Sequence, residues 1–150
     1  MKKNKISLLL GLFFFSFVFF ACSDDDKDDD GSDSKIIGKW EYVSQKYWTT
    51  VNGEMEGSEH IISDGENEYS YWEFYKDGTG QEEESGGPGD YNAWPFKWKI
   101  NGDALTLTTD EGDEKFKITE LTSESLITKS EEDEGEGRVW HSILTYKRKK

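Results

Sequence analysis

Between Phe96 and Thr108 the chain carries a nearly complete β-hairpin signature. Phe96, Trp98 and Ile100 alternate with Lys97 and Lys99, a period of two that gives a strand one apolar and one solvated face. Asn101-Gly102 follows, a dipeptide suited to closing a two-residue hairpin turn, and Leu105 and Leu107 then alternate with Thr106 and Thr108 on the return.

The same pattern recurs on both sides. Residues 38–50 form a first strand, and residues 69–75 and 79–84 are joined through Lys76-Asp77-Gly78. Downstream, residues 115–118 and 126–130 are joined through Thr122-Ser123-Glu124-Ser125, and a last strand covers residues 138–147. With the two arms of the hairpin, eight strands are expected. Residues 51–68 are long and polar and read as the one extended loop, with a turn of helix around His60-Ile61-Ile62. No segment keeps the three-four spacing of an amphipathic helix beyond two turns, so the class is all-β. Eight antiparallel strands either close into a barrel or split into two packed sheets, and periodicity does not choose between them.

The first residues follow different rules. Met1 to Lys5 is basic and Ile6 to Ala21 is almost wholly apolar. As a helix that run would be about 24 Å long, short of a hydrocarbon core of about 30 Å, and no basic stop-transfer cluster follows it, so a cleaved signal fits better than a permanent anchor. Phe19-Phe20-Ala21-Cys22 resembles the lipobox of bacterial lipoproteins, in which a small residue precedes a Cys that receives diacylglycerol. Ala21 matches that pattern, whereas Phe19 and Phe20 depart from the usual Leu and small residue. Cys22 is the sole cysteine, so no internal disulfide is available to it. Lipidation of Cys22 would tie the protein to a membrane. Ser23 to Ser34 holds no apolar residue and should be a disordered acidic tether. Its Ser-Asp-Asp-Asp start is similar to the export signal that sends Bacteroidetes-type lipoproteins to the outer face of the outer membrane.

Charge and motif content exclude several functions. Three of the 18 Lys and Arg precede Cys22 and all 32 Asp and Glu follow it, leaving the mature chain at −17. Clustered cations are needed to displace the counterions of a nucleic acid, and the one basic run is Lys147 to Lys150, so no nucleic-acid partner is expected. Asp26-x-Asp28-x-Asp30-Gly31 imitates the start of a calcium loop, but position twelve is Ile37 where a bidentate Glu is required. His60 and His141 are the two histidines and no further cysteine accompanies them, so no metal site or cofactor is implied. Neither a Gly-x-Ser-x-Gly elbow nor a phosphate-cradling loop is present, and carboxylates are too abundant for any pair to point to glycosidase chemistry. Glu82-Glu83-Glu84 and Glu131 to Glu134 read as solvated strand ends. No enzyme is expected.

Four segments in order carry a family resemblance: Gly38-Lys39-Trp40-Glu41-Tyr42, Phe74 to Gly80, Trp98 to Asp103, and Thr145 to Arg148. Together they resemble the lipocalin-like lipoproteins of Bacteroidetes, with Gly38-Lys39-Trp40 similar to the Gly-x-Trp signature of lipocalins. The resemblance implies an eight-stranded antiparallel up-and-down barrel over residues 36–150, after a signal peptide at 1–21 and a lipidated linker at 22–35. It further implies that Trp40 closes the bottom of the barrel beneath a basic residue of the last strand, at the matching position Arg148.

Binding then remains as the function. The inward candidates, among them Trp40, Trp72, Phe74, Phe96, Trp98, Phe116 and Trp140, are bulky and favour a filled or nearly filled interior. On the second strand Trp72 and Phe74 compete for the inner face with Tyr69, Tyr71 and Tyr75. Tyr91 and Trp94, in a loop spanning residues 85–95, could stack on a ligand or fold back over a barrel mouth. The expected protein is a monomeric, outer-membrane-anchored and surface-exposed lipoprotein that takes a small apolar or aromatic ligand, with Trp72, Tyr91, Trp94, Trp98 and Trp140 as candidate contacts. The alternative is a filled β-domain that meets a protein or glycan through its outer surface.

Overall fold

The computed structural model describes residues 32–63, 69–87 and 90–150. The signal segment and Cys22 lie outside the described residues. A short helix α1 (Ser32–Ile36) precedes nine strands: β1 (Gly38–Val51), β2 (Glu54–Ser63), β3 (Tyr69–Phe74), β4 (Thr79–Gly87), β5 (Asp90–Asn101), β6 (Ala104–Thr108), β7 (Asp113–Leu121), β8 (Ser125–Gly135) and β9 (Arg138–Arg148).

Every neighbouring pair is antiparallel, and β9 returns to pair with β1 along its length, from Trp40 opposite Arg148 to Val51 opposite Arg138. The sheet is therefore closed. Nine segments make eight staves, because β2 and β3 share one edge of β1: Gly38 to Glu41 pair with β3, and Ser44 to Val51 pair with β2. The protein is an eight-stranded antiparallel barrel of lipocalin type, with no crossover between neighbours.

Several boundaries differ from those read in the sequence. Of residues 51–68, read as a loop with a helical turn, residues 51–63 instead form a hairpin turn and a strand, and residues 64–68 lie outside the described residues. Asn52 and Gly53, at φ 52° and 85°, make a tight hairpin turn, and β2 runs back from it. Its ten residues are all exposed, so no buried face imposes an alternation that would mark it as a strand. Residues 85–95 are likewise mostly strand: β4 continues to Gly87 and β5 starts at Asp90, so Tyr91, Trp94 and Pro95 lie in β5. The hairpin after Ile100 turns on Gly102-Asp103 rather than Asn101-Gly102, with Asn101 paired to Ala104 and Gly102 at φ 63°. Residues 32–36 form α1, and Ile36 at its end is fully buried.

The core occupies one half of the barrel. Ile36, Trp40, Phe74, Phe96, Leu105 and Leu126 pack together there and are at most 5% exposed. Burying aromatic and aliphatic side chains of this size contributes about 1.5–3 kcal/mol each. The competition on β3 is resolved with Trp72 and Phe74 inside. At the closed end the Trp40 indole N–H donates to the Ile36 carbonyl at 2.6 Å, seating α1 across the opening. Arg148 donates to the carbonyls of Ser123 and Ile37, both at 2.8 Å, and to that of Lys35. One guanidinium thus ties the β7–β8 turn to the end of α1.

Candidate functional site

The other half of the barrel is not filled. Above the core lies an open cavity of about 960 Å³, so the expectation of a filled interior holds at the closed end alone. The bulky residues inferred to point inward concentrate in the lower layers, and higher up the inward positions pass to Ser, Gln and Glu.

Aromatic rings form the floor. Trp72 of β3 stacks on Tyr146 of β9, with centroids 4.6 Å apart and planes at 26°, and meets Phe116 of β7 edge-on at 5.3 Å. Tyr42 of β1 abuts Tyr146 at 6.0 Å and donates its hydroxyl to the Ile62 carbonyl. Just above Tyr42 a bulge shifts the β1–β9 register by one residue. Trp40 and Tyr42 therefore face inward below it and Gln45 above it, where Gln45 Nε2 donates to Ser142 Oγ at 2.9 Å. Trp140 and Leu144 complete that wall.

Carboxylates form much of the remaining wall. Trp72 pairs with Glu82 and Leu107 with Glu114, and residues directly opposite share a face, so both carboxylates turn inward. Glu84, two residues beyond Glu82, and Glu132, opposite Trp140, join them around the cavity. Burial, together with the charges of Glu84 and Glu114, holds the Glu82 carboxyl above its ordinary range, against a lowering influence from the Trp72 indole N–H. That N–H is buried with no completed hydrogen bond among the described residues, and Glu82 lies directly across the strand pair from it. Burial raises the Tyr146 hydroxyl far above its ordinary range, helped by the charges of Glu82, Glu114 and Glu84. These groups feel one another across a common space.

The outer face treats its buried acids differently. Burial works against the charge of Glu83, but Lys39 and Gln81 outweigh it and hold that carboxyl below its ordinary range. Glu41 behaves alike through Lys147 and Lys149, both 3.2 Å away. Among the described residues no ion pair reaches Glu82, Glu84, Glu114 or Glu132. Nor, among them, do three or more His, Cys, Asp or Glu side chains converge closely enough to hold a metal ion.

Of the aromatic residues singled out in the sequence, the cavity brings Trp72 and Trp140 together. Trp98 sits in the closed half, where its indole N–H donates to the Thr79 and Tyr75 carbonyls and its ring meets Phe74 edge-on. Trp94 is 45% exposed on a stretch of β5 that stands above the five-residue β6, and it does not line the cavity. Tyr91 is 62% exposed on the outer face, the face that also carries Glu83. His141, also facing out, stacks on Trp48 and contacts Glu131 through Nδ1 at 3.2 Å. Sequence reasoning passed over Tyr146, which alternates with Leu144 and Arg148, and over Glu114, hidden among many other acids; it read Glu82-Glu83-Glu84 as a solvated strand end, whereas Glu82 turns into the barrel opposite Trp72 and Glu83 is buried against Lys39.

A family model for the lipocalin-like domain matches residues 36–128. No curated protein matches the chain. Among solved structures, the chain is similar to a lipocalin-like protein from Bacteroides uniformis, with a TM-score of 0.50 and 15% identity, over 77% of this chain and 99% of that one. It also resembles an uncharacterized protein from Bacteroides eggerthii, with a TM-score of 0.49 and 15% identity over 76% and 99% of the two chains.

Proposed function

The chain belongs to the lipocalin-like domain family, and from that premise we propose that it is a surface lipoprotein that captures a small organic molecule in the open half of its barrel. The carrying observation is the aromatic-floored cavity of about 960 Å³ above a packed closed end. Ligand pockets usually measure about 300–1,000 Å³ and bring apolar walls together with a few placed polar groups. Trp72, Tyr146 and Trp140 supply the former, Ser142, Gln45 and the inward carboxylates the latter.

The anchor in this reading is a lipid on Cys22, in a membrane-proximal motif followed by an acidic stretch. The chain enters the barrel at the closed end, through α1. Nine residues separate Cys22 from Ser32, so the two are at most about 36 Å apart. A domain held that way keeps its closed end toward the membrane and its mouth toward the medium, as a receptor for an external ligand requires.

Metabolic labelling with an alkynyl fatty acid, in wild type and Cys22→Ala, tests the anchor, and protease shaving of intact cells tests exposure. Native mass spectrometry of protein recovered from the cell envelope tests the capture. Labelling that depends on Cys22, cleavage in intact cells and a bound small molecule are the expected results. An unmodified thiol, or protection from protease, would overturn the anchoring or the exposure; an empty barrel in every preparation would overturn the capture.

A further inference from the structure

We infer that the molecule captured is a small organic cation, an amine whose ammonium group sits among Glu82, Glu84 and Glu114 while its apolar body rests on Trp72 and Tyr146. This deepens the small-ligand reading above and rests on it.

The contrast between the two faces of β4 carries the inference. Glu82, Glu83 and Glu84 are consecutive, and the strand turns the middle one out and the flanking two in. The outward one is matched by Lys39. The inward two, with Glu114 from β7, have no ion-pair partner among the described residues, although burial and mutual repulsion act on Glu82. A carboxylate set this way is neutralised either by taking up a proton or by an external cation brought to it. Lys115 is the one cation among the described lining residues, and it is exposed. It alternates with Glu114 and Phe116, which places it on the other face of β7.

Two further features favour an organic cation over a metal ion or a neutral lipid. The acids are dispersed over β4, β7 and β8, and no three of them converge as a metal would require. They surround a floor of electron-rich ring faces, which attracts an ammonium further. The Trp72 indole N–H, on a side chain 3% exposed, lacks a completed hydrogen bond among the described residues, and Glu82 is the cross-strand neighbour of Trp72 on the same inner face. A carboxylate has lone pairs for both this donor and a ligand N–H, so an ammonium drawing Glu82 into place would satisfy both at once. A fatty acid or another anion would meet uncompensated negative charge.

Isothermal titration of the mature lipoprotein in non-ionic detergent separates these cases, with 2-phenylethylamine, its neutral isostere 2-phenylethanol, and calcium chloride as probes. The amine is expected to bind at least tenfold more tightly than the alcohol, and Glu82→Gln with Glu114→Gln is expected to remove that preference. Equal or tighter binding of the alcohol would overturn the cation assignment and leave the small-ligand reading standing. Binding of calcium alone would overturn it in favour of a divalent ion. Absence of binding by all three into the millimolar range would overturn the cation assignment, and only an empty barrel in native mass spectrometry beside it would overturn the small-ligand reading as well. Thermal melting of the double variant shows that it is folded, since removing repelling charges should raise its melting temperature.

Discussion

The guanidinium of Arg148 lies over the indole of Trp40, 4.2 Å from the ring centroid, while its nitrogens hold three backbone carbonyls at the closed end of the barrel. Stacking, chain closure and the seating of α1 therefore pass through one pair of side chains. A double-mutant cycle with Arg148→Ala and Trp40→Phe should show a coupling of about 0.5–2 kcal/mol in denaturant unfolding. Additive losses would mean that the two contribute independently.

Gly38 sits beside that pair at φ 124°, and a Cβ there would fall 2.6 Å from Arg148 Nη1. Gly38→Ala should therefore destabilise the domain by more than about 1 kcal/mol, through backbone strain and displacement of the guanidinium. Chemical denaturation measures it. An unchanged midpoint would show that the first residue of β1 tolerates a side chain.

Thr128 is fully buried on β8, and its hydroxyl has no hydrogen-bond partner among the described residues. Valine has nearly the same shape and no polar atom to desolvate. Thr128→Val should stabilise the domain by about 1 kcal/mol, read as a higher denaturation midpoint with an unchanged slope. A lower midpoint would mean that the hydroxyl has a partner in solution.

Glu82 predicts the pH dependence of the open half. Burial and the neighbouring charges of Glu84 and Glu114 raise its carboxyl, so the folded protein keeps this proton at a pH where the unfolded chain has lost it. The folded state then binds more protons, and stability from this group falls as pH rises from the ordinary value of 4.5 through the raised one. Glu82→Gln should melt at a higher temperature than wild type at neutral pH, with the gap closing as the solution is acidified toward pH 4.5. Glu83 carries the opposite sign. Its carboxyl is held low by Lys39, so Glu83→Gln should cost stability at neutral pH, and that cost should fade in acid. A Glu82→Gln gap that widened in acid would reverse the assignment.

The sequence exposed those parts of the fold where burial alternates. Phe96 to Leu107 could be placed on a hairpin because apolar and polar residues alternate along both strands, although Thr106 on the polar side of β6 is itself buried, and Gly38-Lys39-Trp40 pointed to the closed end. β2 stayed hidden because all ten of its residues are exposed, although Asn52-Gly53 carries the turn chemistry of a hairpin. The bulge after Tyr42 has no marker residue, and it moves Gln45 onto the inner face. The acid wall escaped for a different reason: Glu82 and Glu84 follow Gly80 in the inward parity of Phe74 and Trp72, yet a carboxylate at an inward position looks like any solvated one. Trp72 and Trp140 were recognisable as aromatic, and depth in the barrel, which separates them from Trp98, is a property of closure rather than of local pattern.

The six indole N–H groups offer the most direct test of the cavity as a ligand site. In a nitrogen-15 correlation spectrum of the protein titrated with 2-phenylethylamine, the Trp72 and Trp140 signals should move, while those of Trp40 and Trp98 in the closed half stay in place. Shifts confined to Trp48 or Trp94, or a spectrum unchanged at saturating amine, would contradict the account.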